Sequence, residues 1–211
     1  GVNITKVTLA GADATIVEFN QSGISVVVKA SFNVGSGKVV VLADTGAEAT
    51  LADGFEYLEA GVVDEVLPAV GQLGTTVTIS GSNLLGGGDE FDSVTLGGVL
   101  AVVQTFDNEK VVVVATASDA LVVGGAVVLV ADTGAIVQRD GLFDYAAQSN
   151  ITSVEPASGQ EGTTVTIRGT DLRGHANFVD SVTLVGEEAT ILNETDDFIT
   201  AVAAASGAGS G

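Results

Sequence analysis

The 211-residue sequence contains no cysteine, methionine or tryptophan, and it has only two prolines and one histidine. Without cysteine the chain can form neither a disulfide nor a thiolate-bound metal site. His175 lies in a glycine-containing turn, and the chain offers no second histidine to complete a zinc site. We interpret His175 as an exposed loop residue. The sequence therefore predicts no catalytic residue and no enzyme activity.

Basic residues are also scarce, with 7 lysines and arginines against 27 acidic residues and a net charge of −20. This balance excludes a nucleic-acid-binding surface, which needs cations on the phosphates. We interpret the charge as a solvated acidic surface that keeps the protein soluble. Calcium at acidic loops is the alternative for the clusters at 89–92, 187–188 and 196–197. Their spacing matches no EF-hand, so the predicted cofactor is none, with calcium left open.

Long hydrophobic runs are absent, since none approaches the ~18–20 residues that span a bilayer. We therefore expect no direct membrane insertion in this segment. Helical periodicity is missing as well, whereas valine and 28 glycines favour short strands and tight turns. Because the sequence starts with glycine rather than methionine, we expect a segment processed or excised from a longer chain.

What the chain does contain is an internal repeat. Residues 67–84 return as residues 155–172, and Pro156 follows Pro68 by 88 residues. The proline ends or bends an edge strand because it has no N–H to donate. A glycine turn follows, and then residues 75–79, which are all β-branched and favour a strand.

The repeat predicts three segments: the back half of a copy at 1–61, a complete copy at 62–148, and the front half of another at 149–211. Seven strands are expected in the complete copy, at about 62–67, 75–80, 92–97, 99–105, 110–117, 125–131 and 135–145. This spacing predicts an all-β fold of tandem immunoglobulin-like antiparallel sandwiches with a period of about 88 residues.

Three local sequence patterns can each be interpreted in two ways: a run of valines, a repeated Asp-Thr-Gly sequence and a Gly/Ser-rich tail. Residues 111–114 are four consecutive valines, which predict either a strand covered on both faces or one with small valines on its outer face. Asp44-Thr45-Gly46 and Asp132-Thr133-Gly134 echo the aspartic-protease motif, but we interpret both as hairpin turns. The Gly/Ser-rich tail from Ala204 is either a linker or a weak strand edge.

The motif around each proline resembles the opening of IPT/TIG domains. It reads Val-x-x-Val-x-Pro-Ala-x-Gly-x-x-Gly-Thr-x-Val-Thr-Ile-x-Gly-x-x-Leu over 63–84 and, allowing for the first position, over 154–172. The later Val-Thr-Leu-Gly-Gly and Phe-x-Tyr segments are similar to that family too. The resemblance implies an immunoglobulin-like sandwich of the type found in plexins and large surface proteins. The DNA-binding members carry basic loops, which this chain does not have.

Four Asn-x-Ser/Thr sequons are candidate N-glycosylation sites, provided the source is eukaryotic and secreted. They begin at Asn3, Asn20, Asn150 and Asn193. Asn20 and Asn193 align near the same turn of different copies, and we expect both on exposed turns.

The resemblance implies an extracellular or cell-surface structural segment, such as a stalk, fibre or filament subunit, whose partners are neighbouring repeats of the same protein in a homo-oligomer or filament. The alternatives are an adhesin or receptor ectodomain that binds a protein or glycan, and an accessory module of a polysaccharide-active enzyme. The half-repeats imply either a window cut from a longer chain, which we favour, or strands supplied by a neighbouring molecule.

Overall fold

The computed structural model describes residues 3–20, 22–29 and 33–205, and these residues form strands and turns without any helix. The chain divides into two compact units, residues 1–60 and residues 61–211. The second unit contains the middle repeat and the third repeat. Residues 206–211 of the predicted Gly/Ser tail lie outside the described residues.

The middle repeat has eight strands, one more than the sequence predicted. They are β6 Val62–Leu67, β7 Val70–Gly71, β8 Thr76–Ser82, β9 Phe91–Leu96, β10 Val99–Phe106, β11 Lys110–Ala115, β12 Val122–Ala131 and β13 Ile136–Tyr145. Hydrogen bonds connect these strands in the order β6-β8-β11-β10-β9-β12-β13-β7. The additional strand is the two-residue β7, which lies just after Pro68.

Pro68 lies where the chain passes from one sheet of the sandwich to the other. Before it, β6 pairs antiparallel with β8; after it, β7 pairs parallel with β13. The sandwich curves through β10, which pairs with both β11 and β9 and has a register shift between Val103 and Thr105. Arg139 on β13 bridges to the β6 edge, since its Nη1 donates to the carbonyl oxygens of Val63 and Asp64 at 2.9 and 2.7 Å.

Alternate side chains of these strands fill one hydrophobic core between the two sheets. Val111 and Val113 are fully buried, while Val112 and Val114 are half-buried on the opposite face of β11. The structure thus decides between the two interpretations of the valine run: its outer face carries small valines. At the end of the core, the rings of Phe143 and Tyr145 pack edge to face at 5.1 Å.

The third repeat reproduces the first five strands of that order. Its strands are β14 Asn150–Glu155, β15 Thr164–Thr170, β16 Val182–Leu184, β17 Glu187–Glu194 and β18 Phe198–Val202, ordered β14-β15-β18-β17-β16. These correspond in sequence to β6, β8, β9, β10 and β11 of the middle repeat. The core is smaller, with Val165, Ile167, Val182, Ala189, Ile199 and Ala201 buried.

The first unit reproduces the stretch of the same order from β11 to β13. Its strands are β1 Ile4–Leu9, β2 Ala12–Phe19, β3 Ile24–Val27, β4 Gly35–Ala43 and β5 Glu48–Tyr57, ordered β3-β2-β1-β4-β5. They correspond to β11, β10, β9, β12 and β13. Val7, Leu9 and Tyr57 are its buried residues. Both five-stranded sheets therefore follow parts of the strand order of the middle repeat.

Candidate functional site

The sequence motifs that resembled catalytic sites lie in turns. Gly46 and Gly134 both have φ of +82°, and their N–H groups donate to the carbonyls of Ala43 and Ala131 at 3.0 and 2.8 Å. The Asp-Thr-Gly sequences therefore close the β4–β5 and β12–β13 hairpins, as their turn chemistry indicated. His175 is exposed, with φ of +67°, in the loop between β15 and β16.

The acidic clusters do not converge on a common point. Within residues 3–20, 22–29 and 33–205, no group of three or more His, Asp or Glu side chains is placed to hold a metal ion. In the middle repeat, the Asp89 N–H donates to Asp132 Oδ1 at 3.2 Å, and the Asp132 N–H donates to the Glu90 carbonyl at 3.0 Å. Asp132 thus ties the 89–92 cluster to the neighbouring hairpin turn.

All four sequon asparagines are exposed. Asn20 lies in the β2–β3 turn, where its Oδ1 accepts from the Ser22 N–H at 2.8 Å and the Ser22 hydroxyl at 2.7 Å. Asn193 is not in a turn as its alignment suggested, but in β17, one residue before the strand ends. A register shift of the β17–β18 pair separates it from Ile191. Glycosylation of these asparagines stays a prediction.

The most distinctive surface of the middle repeat is the outer face of β6, β8, β11 and β10. Two cross-strand rows form it: Leu67, Thr78 and Val112 are paired in register, and so are Thr76, Val114 and Val102. We name these six residues the apolar face. None carries a charge, although the whole chain has a net charge of −20. Leu67 and Val102 are each about half exposed, at 55% and 52%.

The third repeat has a polar surface at the same place. Glu155, Thr166 and Thr200 form one row, and Thr164, Val202 and Thr190 form the other. Leu67 is thus replaced by Glu155, Val112 by Thr200 and Val102 by Thr190. Since both surfaces are built on equivalent strands, the backbone does not require valine or leucine there. Sequence alternation could have located this face, but the cross-strand register was needed to show that the six residues adjoin.

Charged residues border the apolar face on one side. The next row consists of Glu65, Ser80 and Lys110, which are paired across β6, β8 and β11. An apolar centre with a polar border is the composition that protein interaction surfaces commonly have. The face therefore qualifies as a candidate binding surface, whereas the turns and acidic clusters do not.

This chain matches one protein-family model and resembles several solved structures at low sequence identity. The model of the IPT/TIG domain matches residues 62–145 and 149–210. A plexin A4 extracellular region of ten domains is 16% identical over 97% of this chain and 24% of its own, with a TM-score of 0.49. The Bacteroides ovatus surface glycan-binding protein SGBP-B, solved with a mixed-linkage heptasaccharide, is 17% identical over 99% of this chain and 52% of its own, with a TM-score of 0.33.

A gamma-CGTase from Bacillus clarkii is 21% identical over 62% of this chain and 21% of its own, with a TM-score of 0.36. The chain thus spans about a quarter of the plexin A4 chains and half of the glycan-binding protein. No curated protein matches the sequence. Among the described residues there is also no helix with the length and hydropathy needed to cross a membrane.

Proposed function

The chain belongs to the IPT/TIG domain family, and from this premise we propose that it is a non-catalytic structural segment of an extracellular or cell-surface repeat array. The observation that carries the proposal is the tandem arrangement of sandwiches on one strand order. Five strands of the middle repeat recur in the third, and only residues 146–149 separate β13 from β14. A chain built this way forms a stalk, fibre or filament by adding repeats.

Charge and sequons support an exposed location. A net charge of −20 keeps such an array soluble and discourages unspecific association between neighbouring molecules. The sequon asparagines Asn3, Asn20, Asn150 and Asn193 are all accessible to modification. In a eukaryotic secretory pathway, glycans at these positions would add to the solvated surface. The partners of the segment are then the neighbouring repeats of the same protein.

Electron microscopy of the intact native protein, together with its mass, tests this proposal. We expect an elongated particle in which domains of similar size follow one another in a line, and a mass that corresponds to several 88-residue repeats. A compact particle in which the sandwiches cluster around a separate catalytic domain would instead support an accessory module of an enzyme. That outcome would contradict the structural role.

A second function, binding of a partner protein, is favoured by the apolar face. The face carries no charged residue in the middle repeat, whereas the equivalent surface of the third repeat is polar and carries Glu155. A protein partner is favoured over a glycan because the chain has no tryptophan and only two tyrosines. Tyr57 and Tyr145 are both buried, which leaves neither available to stack on a sugar ring.

Charge insertion tests the binding function. Val102→Glu places a carboxylate on the apolar face, at the β10 end of its row, and Thr190→Glu places one at the equivalent position of the third repeat. If the face binds a partner on the native cell surface, Val102→Glu reduces cell-surface retention of the purified protein while Thr190→Glu does not. Equal retention of both variants and the native protein would remove the face as a binding site. Circular dichroism verifies that each variant is folded.

A further inference from the structure

The junction between the middle and third repeats is short and hydrogen-bonded on the side of the middle repeat. It consists of residues 146–149, between the end of β13 and the start of β14. The Asp144 N–H donates to the Ala69 carbonyl and the Ala146 N–H donates to the Gly71 carbonyl, both at 2.8 Å. The first residue of the linker is therefore fixed to β7.

The other end of the linker is fixed by the side chain of Gln72, the residue that follows β7. Gln72 Nε2 donates to the Ser149 hydroxyl oxygen at 2.7 Å, and the Ser149 N–H donates to Gln72 Oε1 at 2.7 Å. The Ser149 hydroxyl in turn donates to the carbonyl of Asp171, at the end of β15. A continuous chain of hydrogen bonds thus connects the middle repeat, the linker and the third repeat. All of these groups are partly buried.

The third repeat leaves space for this amide. A Cβ added to Gly174 would lie 2.8 Å from Gln72 Nε2, and Gly174 has a φ of +58°. The loop after β15 therefore approaches Gln72 so closely that a side chain at position 174 would displace it. Gln72 is in contact with the linker at Ser149 and with the third repeat at Gly174.

We infer that Gln72 is an orientation lock, which holds the third repeat at one fixed angle to the middle repeat. Domains joined by a short linker reorient by default unless the interface between them is large and hydrophobic. Here the amide acts as donor and acceptor towards the same residue, which restrains both the position and the rotation of the linker. No charged group takes part in the lock, so its strength should not depend on ionic strength, in contrast to a salt bridge.

The sequence indicates where else such a lock can form. Gln160 occupies the position of Gln72 in the third repeat, within Gly159-Gln160-Glu161-Gly162. Before the middle repeat, Gly61 is at the position equivalent to Ser149, and it has no hydroxyl. A Cβ added to Gly61 would lie 2.4 Å from the Asn83 carbonyl oxygen. Glutamine in the turn and serine before the next repeat are therefore the two residues that together identify a locked junction. The inference does not depend on whether the array binds a partner.

Distance measurement between spin labels tests the lock in the full chain. Because the protein has no cysteine, Asp140→Cys and Glu188→Cys introduce one exposed label in each repeat. We expect a narrow distance distribution for the doubly labelled protein, and a broad one after Gln72→Ala. Ser149→Ala retains the N–H that binds Gln72 Oε1 but loses the hydroxyl, so its distribution should have an intermediate width.

Gln160→Ala is the matched control, since it removes the same side chain from the same turn of the third repeat. The Gln160 side chain makes no hydrogen bond within the described residues. Its backbone N–H donates to the Thr163 hydroxyl at 2.9 Å, just as the Gln72 N–H donates to the Thr75 hydroxyl at 3.0 Å, so the two turns are alike apart from the side-chain contacts of Gln72. The distribution should remain narrow in Gln160→Ala. A narrow distribution in Gln72→Ala, or broadening in both variants, would overturn the inference. Unchanged thermal unfolding of Gln72→Ala shows that broadening reflects reorientation and not loss of folding.

Discussion

At the scale of single residues, equivalent positions of different copies have different environments. Tyr57 and Tyr145 each end the last strand of a copy, and each packs edge to face on a phenylalanine two residues earlier. The Tyr57 hydroxyl donates to the Lys29 carbonyl at 3.0 Å. The Tyr145 hydroxyl is buried without a partner, and burial raises the pKa of Tyr145 above its usual value of 10.0. The two tyrosines therefore serve as matched controls for each other.

Tyr145→Phe should leave the free energy of unfolding at pH 7 unchanged or increase it slightly, because it removes an unpaired buried hydroxyl. Tyr57→Phe should cost about 1 kcal/mol through the loss of its hydrogen bond. Chemical denaturation of each variant measures the two effects. A larger loss in Tyr145→Phe than in Tyr57→Phe would contradict the assignment of the unpaired hydroxyl.

The raised pKa of Tyr145 also makes the stability of the middle repeat depend on pH. Because the pKa of Tyr145 is raised in the folded state, its stabilising contribution is complete below the unfolded value of about 10 and is lost as pH rises through the folded value. Stability of the native middle repeat should therefore fall above about pH 10. Tyr145→Phe should decrease this alkaline loss, which thermal unfolding across pH 9–12 would reveal; an identical pH profile would argue against it.

Glycine positions give a further comparison of this kind. A Cβ on Gly81 would lie 2.0 Å from the Val62 carbonyl oxygen and 2.8 Å from the Leu84 side chain, while one on Gly23 would meet nothing within 4 Å. Gly81→Ala should therefore destabilise the middle repeat by roughly 1–3 kcal/mol or more. Gly23→Ala should change stability by less than about 0.5 kcal/mol. Urea denaturation monitored by tyrosine fluorescence compares them, and similar costs would contradict the close approach at Gly81.

At the scale of elements, strands with alternating apolar and polar residues could be predicted from the sequence, whereas short strands and contacts between distant segments could not. In β11 the sequence does not show whether both faces of the strand are covered, because four consecutive valines have no alternation of apolar and polar residues. The structure answers this: Val111 and Val113 are fully buried, whereas Val112 and Val114 are only half-buried. Strand β7 was missed because two residues are too few to give a periodic pattern. The apolar face and the Gln72–Ser149 pair were missed because both depend on which distant segments adjoin, and Gln72 and Ser149 are 77 residues apart.

Isosteric substitutions along β11 test its two faces. Val113→Thr buries a hydroxyl without a partner and should cost about 1–3 kcal/mol. Val112→Thr introduces the residue that the third repeat has as Thr200, and it should change stability by less than about 0.5 kcal/mol. Denaturant midpoints measured on both variants give the difference. Equal costs would mean that the strand is covered on both faces, contrary to the structure.

At the scale of the whole molecule, the residues that the structure describes form eight strands in the middle repeat and five in each of the two flanking segments. The missing motifs predict one complete copy and two partial ones, and this division stays a prediction; the two five-stranded sheets repeat stretches of the eight-stranded order. The proposed boundaries at 62 and 148 rest on that correspondence. What the sequence could not provide was the orientation of consecutive repeats, because it depends on one amide in a turn rather than on a periodic pattern.

Separate expression tests the proposed boundaries. Residues 62–148 enclose the core of the complete sandwich and should fold alone with strong protection of its central amides. Residues 1–61 and 149–211 each contain five strands and a smaller buried core, so we expect both fragments to be poorly protected or to associate. Amide hydrogen exchange of the three fragments decides this. Strong protection in a monomeric 1–61 fragment would require different boundaries.

The parallel pair of β7 and β13 determines how the middle repeat would respond to tension. Val70 is paired with Asp144 and Gly71 with Tyr145, so a strand near the entry of the repeat lies beside the strand at its exit. When a pull on the chain draws entry and exit in opposite directions, the bonds at Ala69 and Gly71 are loaded in shear and bear the force together. In a hairpin pulled from one end, by contrast, the bonds break one after another. The parallel pair should therefore resist extension of the repeat more than a hairpin with the same number of bonds would.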